Sequence, residues 1–228
     1  MLAVLGLGFI LGLRHALDAD HIAAVGAMVS ERPGWRTALR TGLLWGLGHS
    51  IALLVAGAFV IGLHLVIPDA IARGLEAGVA LMVLLLGGAA LARALRSRSD
   101  VHSHYHAHGR LVHRHLHFHD TSGAHDPHRI ACVGIKPLLV GTLHGLAGSA
   151  ALTLLVLAQI PSATGGLAYL AVFGAGSIGG MALLSVAIGL PFAATLTRPG
   201  WNLALRVTAG AAGVLFGIAY AWNQLGSA

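Results

Sequence analysis

Residues 2–13 and 22–30 contain no ionisable side chain, yet the eight residues between them, Arg14-His15-Ala16-Leu17-Asp18-Ala19-Asp20-His21, hold five. An apolar run of this length is suited to the hydrocarbon of a bilayer. A helix begun at Leu2 rises about 1.5 Å per residue and brings His15 about 20 Å in, near mid-membrane. Two carboxylates and two imidazoles at that depth cost several kcal/mol unless compensated, which marks the cluster as a candidate functional site.

The remainder of the chain argues for the bilayer. Only 10% of its 228 residues are charged, against about 25% in a soluble domain, and mean hydropathy is +0.79. The expected fold class is an all-α polytopic membrane protein of six transmembrane helices arranged as a 3+3 inverted repeat. Six apolar segments span about 2–30, 38–63, 72–95, 133–159, 164–190 and 201–224, and Pro33, Pro68, Pro161 and Pro199 fall in the short connections. Three units follow: a first repeat at 1–95 carrying the ionisable motif, a polar histidine-rich loop at 96–132 expected to be disordered, and a second repeat at 133–228. The N-terminal run has no basic residues ahead of it and leads into His15 and Asp18, so it is expected to be a retained helix.

Charge sets orientation. Arg32, Arg36 and Arg40 belong to the first connection, Arg93, Arg96, Arg98, Arg110, Arg114, Arg129 and Lys136 to the third, and Arg198 and Arg206 to the fifth. The other side has Arg73 alone. The positive-inside rule places both termini outside and the histidine loop in the cytoplasm, in a cell inner (plasma) membrane. The net charge of +6 faces anionic lipid rather than nucleic acid, because no basic surface interleaved with aromatics is present. A single cysteine, Cys132, excludes an internal disulfide framework.

The halves echo each other at offsets of 128 to 130. Gly12, His15 and Leu17 match Gly141, His144 and Leu146, with Ser149 in place of Asp20. Trp45-Gly46-Leu47-Gly48-His49 resembles Phe173-Gly174-Ala175-Gly176-Ser177, and Val83 to Gly87 resembles Gly213 to Gly217. An odd number of helices per half inserts the second copy upside down, and a midplane site between inverted repeats is a transporter arrangement.

On an unbroken helix His15, Asp18 and His21 fall within a sector of about 120°, whereas Asp20 points about 100° away from His21. Either Asp20 stands outside the ligand set, behind it or paired with Arg14, or the helix unwinds near Gly12. Imidazole nitrogen with carboxylate oxygen suits a borderline dication such as Ni, Co, Zn or Mn, and the absence of thiolate weighs against copper(I). An ion-pair knot of Arg14 with Asp18 or Asp20 is the purely structural alternative.

Arg14-His15-Ala16-Leu17-Asp18-Ala19-Asp20-His21-Ile22 resembles the RHAxDADHI signature of the nickel/cobalt permeases, the NiCoT family. Leu47-Gly48-His49-Ser50 is similar to that family's LGHS motif, and Phe173 to Ser177 with Gly180-Met181 to its later glycine-rich helix. The resemblance implies a divalent-metal permease with His15, Asp18, Asp20 and His21 binding the ion and His49 assisting from the next helix. His144 to Ser149 stand where typical members carry FDTATE, and Ser185 and Ile188 where the aspartates of GMxxxDTxD would be. The chain therefore looks like the shorter six-helix branch, whose members are associated with urease or hydrogenase metal supply. A cytoplasmic metal chaperone is the candidate protein partner, and no prosthetic group is implied, Ni2+ or Co2+ being the cargo.

His144, Ser149 and Ser177 are candidate pathway residues, each able to serve instead as an interhelical hydrogen-bonding group. In the loop, His102, His104, His106, His108, His113, His115, His117 and His119 alternate with other residues, which puts several imidazoles on one side of an extended chain. Such a tract suits a low-affinity metal collector. A membrane potential near 100 mV gives an inward-moving dication about 4.6 kcal/mol, on the order of a thousandfold accumulation, so uptake is the expected direction. Proton-coupled efflux, with His49 and Asp20 as proton carriers, and an intramembrane serine protease are the alternatives. The latter leaves the aspartates idle and finds no Gly-x-Ser-Gly sequence.

Overall fold

The computed structural model describes residues 2–63, 68–96, 101–108, 111–118, 134–147, 160 and 162–226. Seven helices are described: α1 Leu2–His15, α2 Ala19–Ser30, α3 Trp35–Leu63, α4 Asp69–Arg96, α5 Lys136–Ala147, α6 Ala163–Ala194 and α7 Pro199–Gly226. Between α4 and α5 the backbone of β1 Val101–His108 and β2 Leu111–Phe118 pairs antiparallel. This hairpin lies in the loop that reads as unordered, where histidine at every second position is also a strand's period. Its register sets His102 opposite His117, His104 opposite His115 and His106 opposite His113. His119 lies outside the described residues.

Helices α3, α4, α6 and α7, of 29, 28, 32 and 28 residues, are each long and apolar enough to cross a bilayer. The first expected span is a pair, α1 and α2, bent by 54° at a short break. The fourth is described only from Lys136 to Ala147, because 148–159, including Ser149, lie outside the described residues.

The break corrects the expected geometry. Gly12, near which unwinding is one of the two alternatives, stays helical, and a Cβ there would collide with the carbonyl oxygen of Phe173. The backbone leaves the helix at Ala16–Asp18 instead, through turns that bond Leu17 N–H to Arg14 O at 2.8 Å and Asp18 N–H to His15 O at 3.1 Å. Asp18, extended at φ −63° and ψ 147°, stands at the N-cap position of α2 with no capping hydrogen bond from its side chain. The segment contains neither proline nor glycine, so nothing local announces it.

Glycines let the helices meet backbone to backbone, as membrane packing favours. A Cβ on Gly12 would strike the carbonyl of Phe173, and one on Gly141 that of Trp45. The same holds for Gly176 against Phe9 and Gly48 against Leu138. On the other pair of helices, a Cβ on Gly87 would come within 2.6 Å of Val214 N, and one on Gly217 within 2.8 Å of Leu84 N. Within each of these three pairs of contacts, the second follows from the first by the sequence offsets of 128 to 130.

At one end of the bundle Glu31, just past α2, accepts hydrogen bonds from Arg93 of α4 and from Lys136 of α5, the latter at 2.9 Å. Leu81, Leu85, Leu183, Leu215 and Trp222 are among many large apolar residues left exposed, the surface a hydrocarbon solvent requires.

Candidate metal site

His15 closes α1, Asp20 and His21 open α2, His49 sits in the middle of α3, and His144 lies near the end of the described part of α5. Those five residues meet inside the bundle. His21, His49 and His144 are fully buried and His15 is 6% exposed.

The break decides which carboxylate takes part. Asp20, in the first turn of α2, accepts from the backbone N–H of His21 at 2.9 Å and from His21 Nδ1–H at 3.0 Å through one oxygen. Its other oxygen accepts from His144 Nε2–H at 2.9 Å. The N-terminal end of a helix is also where a carboxylate is electrostatically favoured. Asp18, whose side chain is 48% exposed, instead accepts from His15 Nδ1–H at 2.8 Å and holds that ring from outside. That hydrogen bond turns His15 Nε2 inward, to 3.1 Å from His49 Nε2. Asp20 thus stands in the cluster and Asp18 behind the His15 ring. Among the described residues neither aspartate pairs with Arg14, which removes the ion-pair knot.

Two sets of ligand atoms result, each within 4.8 Å: His15, His21 and His49, and Asp20, His21 and His144. The rings crowd one another, with His15 and His21 edge to face at 4.5 Å and His21 stacked on His144 at 4.2 Å. Nε2 of His21, Nδ1 of His49 and Nδ1 of His144 have no hydrogen-bond partner among the described residues. Buried polar atoms left this way are costly, so a cluster of them is a place built for a partner. Nitrogen and carboxylate oxygen donors together fit a borderline dication.

Ser177, the sequence equivalent of His49, donates its Oγ–H to Phe173 O on its own helix at 3.0 Å and enters neither set. Trp45 is the residue that sequence reasoning passed over. It is fully buried, its indole N–H has no partner among the described residues, and its ring lies 5.2 Å from that of His21 and 5.8 Å from that of His144. A cavity of about 140 Å³ has Met28, Thr41 and Pro137 in its lining, together with Glu31 and Lys136, and Thr41 lies four residues before Trp45 on α3. Those first three residues stand seven, eight and seven positions from His21, His49 and His144, about 10–12 Å along the same helices. The presence of alternating small and large residues around Trp45 makes it read as ordinary core; its pairing with Phe173 across the repeat was the available sign.

Long apolar helices around a buried His/Asp cluster define a multi-pass membrane protein with the donors for a transition-metal dication. The chain belongs to the high-affinity nickel-transport protein family, which matches residues 1–222. It is accordingly a nickel permease by family and not an enzyme. It is also 34% identical over 224 residues to the urease accessory protein UreH of Bacillus sp. (strain TB-90), covering 98% of this chain and 92% of that one. No solved structure matches the chain significantly.

Proposed function

We propose that the protein carries Ni2+, and Co2+ with it, inward across the cell's plasma membrane through the cluster of His15, Asp20, His21, His49 and His144. The observation that carries this reading is the convergence of those five donors from four helices in one buried place. Asp18 acts in it by fixing the His15 ring, as carboxylates behind metal-bound histidines do.

The three pairs of equivalent glycine contacts support the six-helix inverted repeat, with the axis passing beside the cluster. The basic residues favour both termini outside and the Glu31 end, with its neighbours Arg32, Arg36 and Lys136, in the cytoplasm. The histidine-rich loop would then gather ions on that side. The likeness to a urease accessory protein makes delivery to a nickel enzyme, through a cytoplasmic metal chaperone, the fitting destination. A potential of 100 mV drives a dication inward with about 4.6 kcal/mol, so uptake needs no coupling ion.

The test is radioactive nickel uptake into proteoliposomes under an inside-negative potential, with Asp20→Ala and His21→Ala alongside. Potential-driven accumulation that both substitutions abolish is expected. Accumulation only with an opposing proton gradient would reverse the direction, and wild-type uptake by either variant would remove the site.

A further inference from the structure

The buried cluster is built as two overlapping donor sets, and their overlap is one side chain. His15 and His49 belong to one set, Asp20 and His144 to the other, and His21 to both. The His21 ring stands between them, edge-on to His15 at 4.5 Å and stacked on His144 at 4.2 Å. Its Nδ1 faces Asp20 at 3.0 Å, while its Nε2 has no partner among the described residues. Phe173 lies 5.5 Å from the His15 ring, and Trp45 lies 5.2 Å from the shared His21 ring and 5.8 Å from that of His144.

We infer that the protein holds its dication at two positions used in turn, with His21 common to both, Nε2 serving the His15/His49 position and Nδ1 the Asp20/His144 position. This rests on the transport reading above and specifies how the ion crosses the site. A neutral imidazole has one lone pair, so His21 completes one set at a time. Two dications this close repel, which again limits occupancy to one. The chemistry of the sets differs in a useful direction. Three neutral imidazoles hold a dication less tightly than two imidazoles and a carboxylate, so the second position draws the ion onward.

His144 of that second position lies 5.8 Å from the Trp45 ring and seven residues along α5 from Pro137, which lines the cavity with Met28 and Thr41. The first position takes all three donors from the first half of the chain, and the second adds His144 from the other half. His15 with Phe173 and His144 with Trp45 occupy matching places in the sequence echo. An inverted repeat turns such matching places toward opposite sides of the membrane.

Nickel binding by calorimetry and nickel flux in proteoliposomes, both on the full chain, test this with His49→Gln, His144→Gln, the double variant and His21→Gln. The wild type is expected to bind one ion per chain. Each of the first two variants should keep affinity within about tenfold, because the other position takes the ion, yet lose at least about tenfold in flux. The double variant should lose far more affinity than the product of the single losses, as should His21→Gln, which breaks both positions. His144→Asn is carried in parallel, so that a fold lost with one replacement leaves the other to report. Two ions bound together, single losses that simply multiply, or wild-type flux in His144→Gln would overturn the two positions while leaving transport intact. A wild type that neither binds nor moves nickel would overturn the transport reading itself.

Discussion

Asp20 and His144 stand 124 residues apart in the chain and meet at 2.9 Å in the middle of the bundle. That bond joins the first expected half of the molecule to the second at the cluster, and it exists because α2 starts anew after His15. A carboxylate at this place and one two residues earlier have different work. Asp20→Asn, which keeps the shape and removes the charge, is expected to lower nickel flux at least about hundredfold. Asp18→Asn should lower it about tenfold, since only the hold on His15 weakens. Equal losses, measured as initial uptake rates, would contradict the division between the two.

Backbone contact at Gly141 sets a packing test independent of metal. A Cβ there has nowhere to go but into the Trp45 carbonyl, so Gly141→Ala should destabilise the protein by about 1–3 kcal/mol. Gly88→Ala is the control. Nothing lies within 4 Å of its Cβ, and alanine in place of a helical glycine should be neutral or stabilise by up to about 1 kcal/mol. Thermal melts of the two variants in the same detergent read the difference. A harmless Gly141→Ala would show that α3 and α5 are not in backbone contact there.

How much of this the sequence carried differs from residue to residue. Helices were legible because apolar runs of spanning length leave the chain little else to do, and the cluster was legible because Arg14 to His21 interrupt one of them. His144 was visible through its echo of His15. The respective parts of Asp18 and Asp20 were not. A regular helix sends Asp20 away from His21, and the turn at Ala16–Asp18 that reverses this has no glycine or proline to mark it. What holds that turn is tertiary: the close approach of α1 to α6 and the pull of His144 on Asp20. Trp45 was invisible for the opposite reason, since an aromatic in an apolar helix is ordinary packing until its neighbours are known to be histidines.

Trp45 lies on α3 four residues from His49 of the cluster and four from Thr41 of the cavity lining, and its removal is expected to act as a leak. Vesicles loaded with nickel are expected to empty faster through Trp45→Ala than through wild type, by about tenfold or more. Trp45→Phe should stay near wild type. The alanine variant is also expected to lose about 3–5 kcal/mol of stability, so its fold is monitored by melting in the same preparation. Emptying at the wild-type rate through a folded Trp45→Ala protein would show that Trp45 does not hold the ion back.

The hairpin offers a separate expectation. If histidines paired across β1 and β2 gather ions near the mouth, they raise the local supply without changing the step at the cluster. Deleting residues 101–118 should then raise the nickel concentration for half-maximal flux and leave the maximal rate within about twofold. A collapse of the maximal rate with an unchanged half-saturation point would assign the segment to the translocation step instead.

The most direct measurement is the coordination of nickel itself, by X-ray absorption on the purified protein loaded with one equivalent. The account predicts a shell of nitrogen and oxygen donors alone, with the outer-shell scattering of at least two imidazoles, and loss of that imidazole signature in His21→Ala. A sulfur donor from Met28 or Met181, or a shell of water that His21→Ala leaves unchanged, would contradict it.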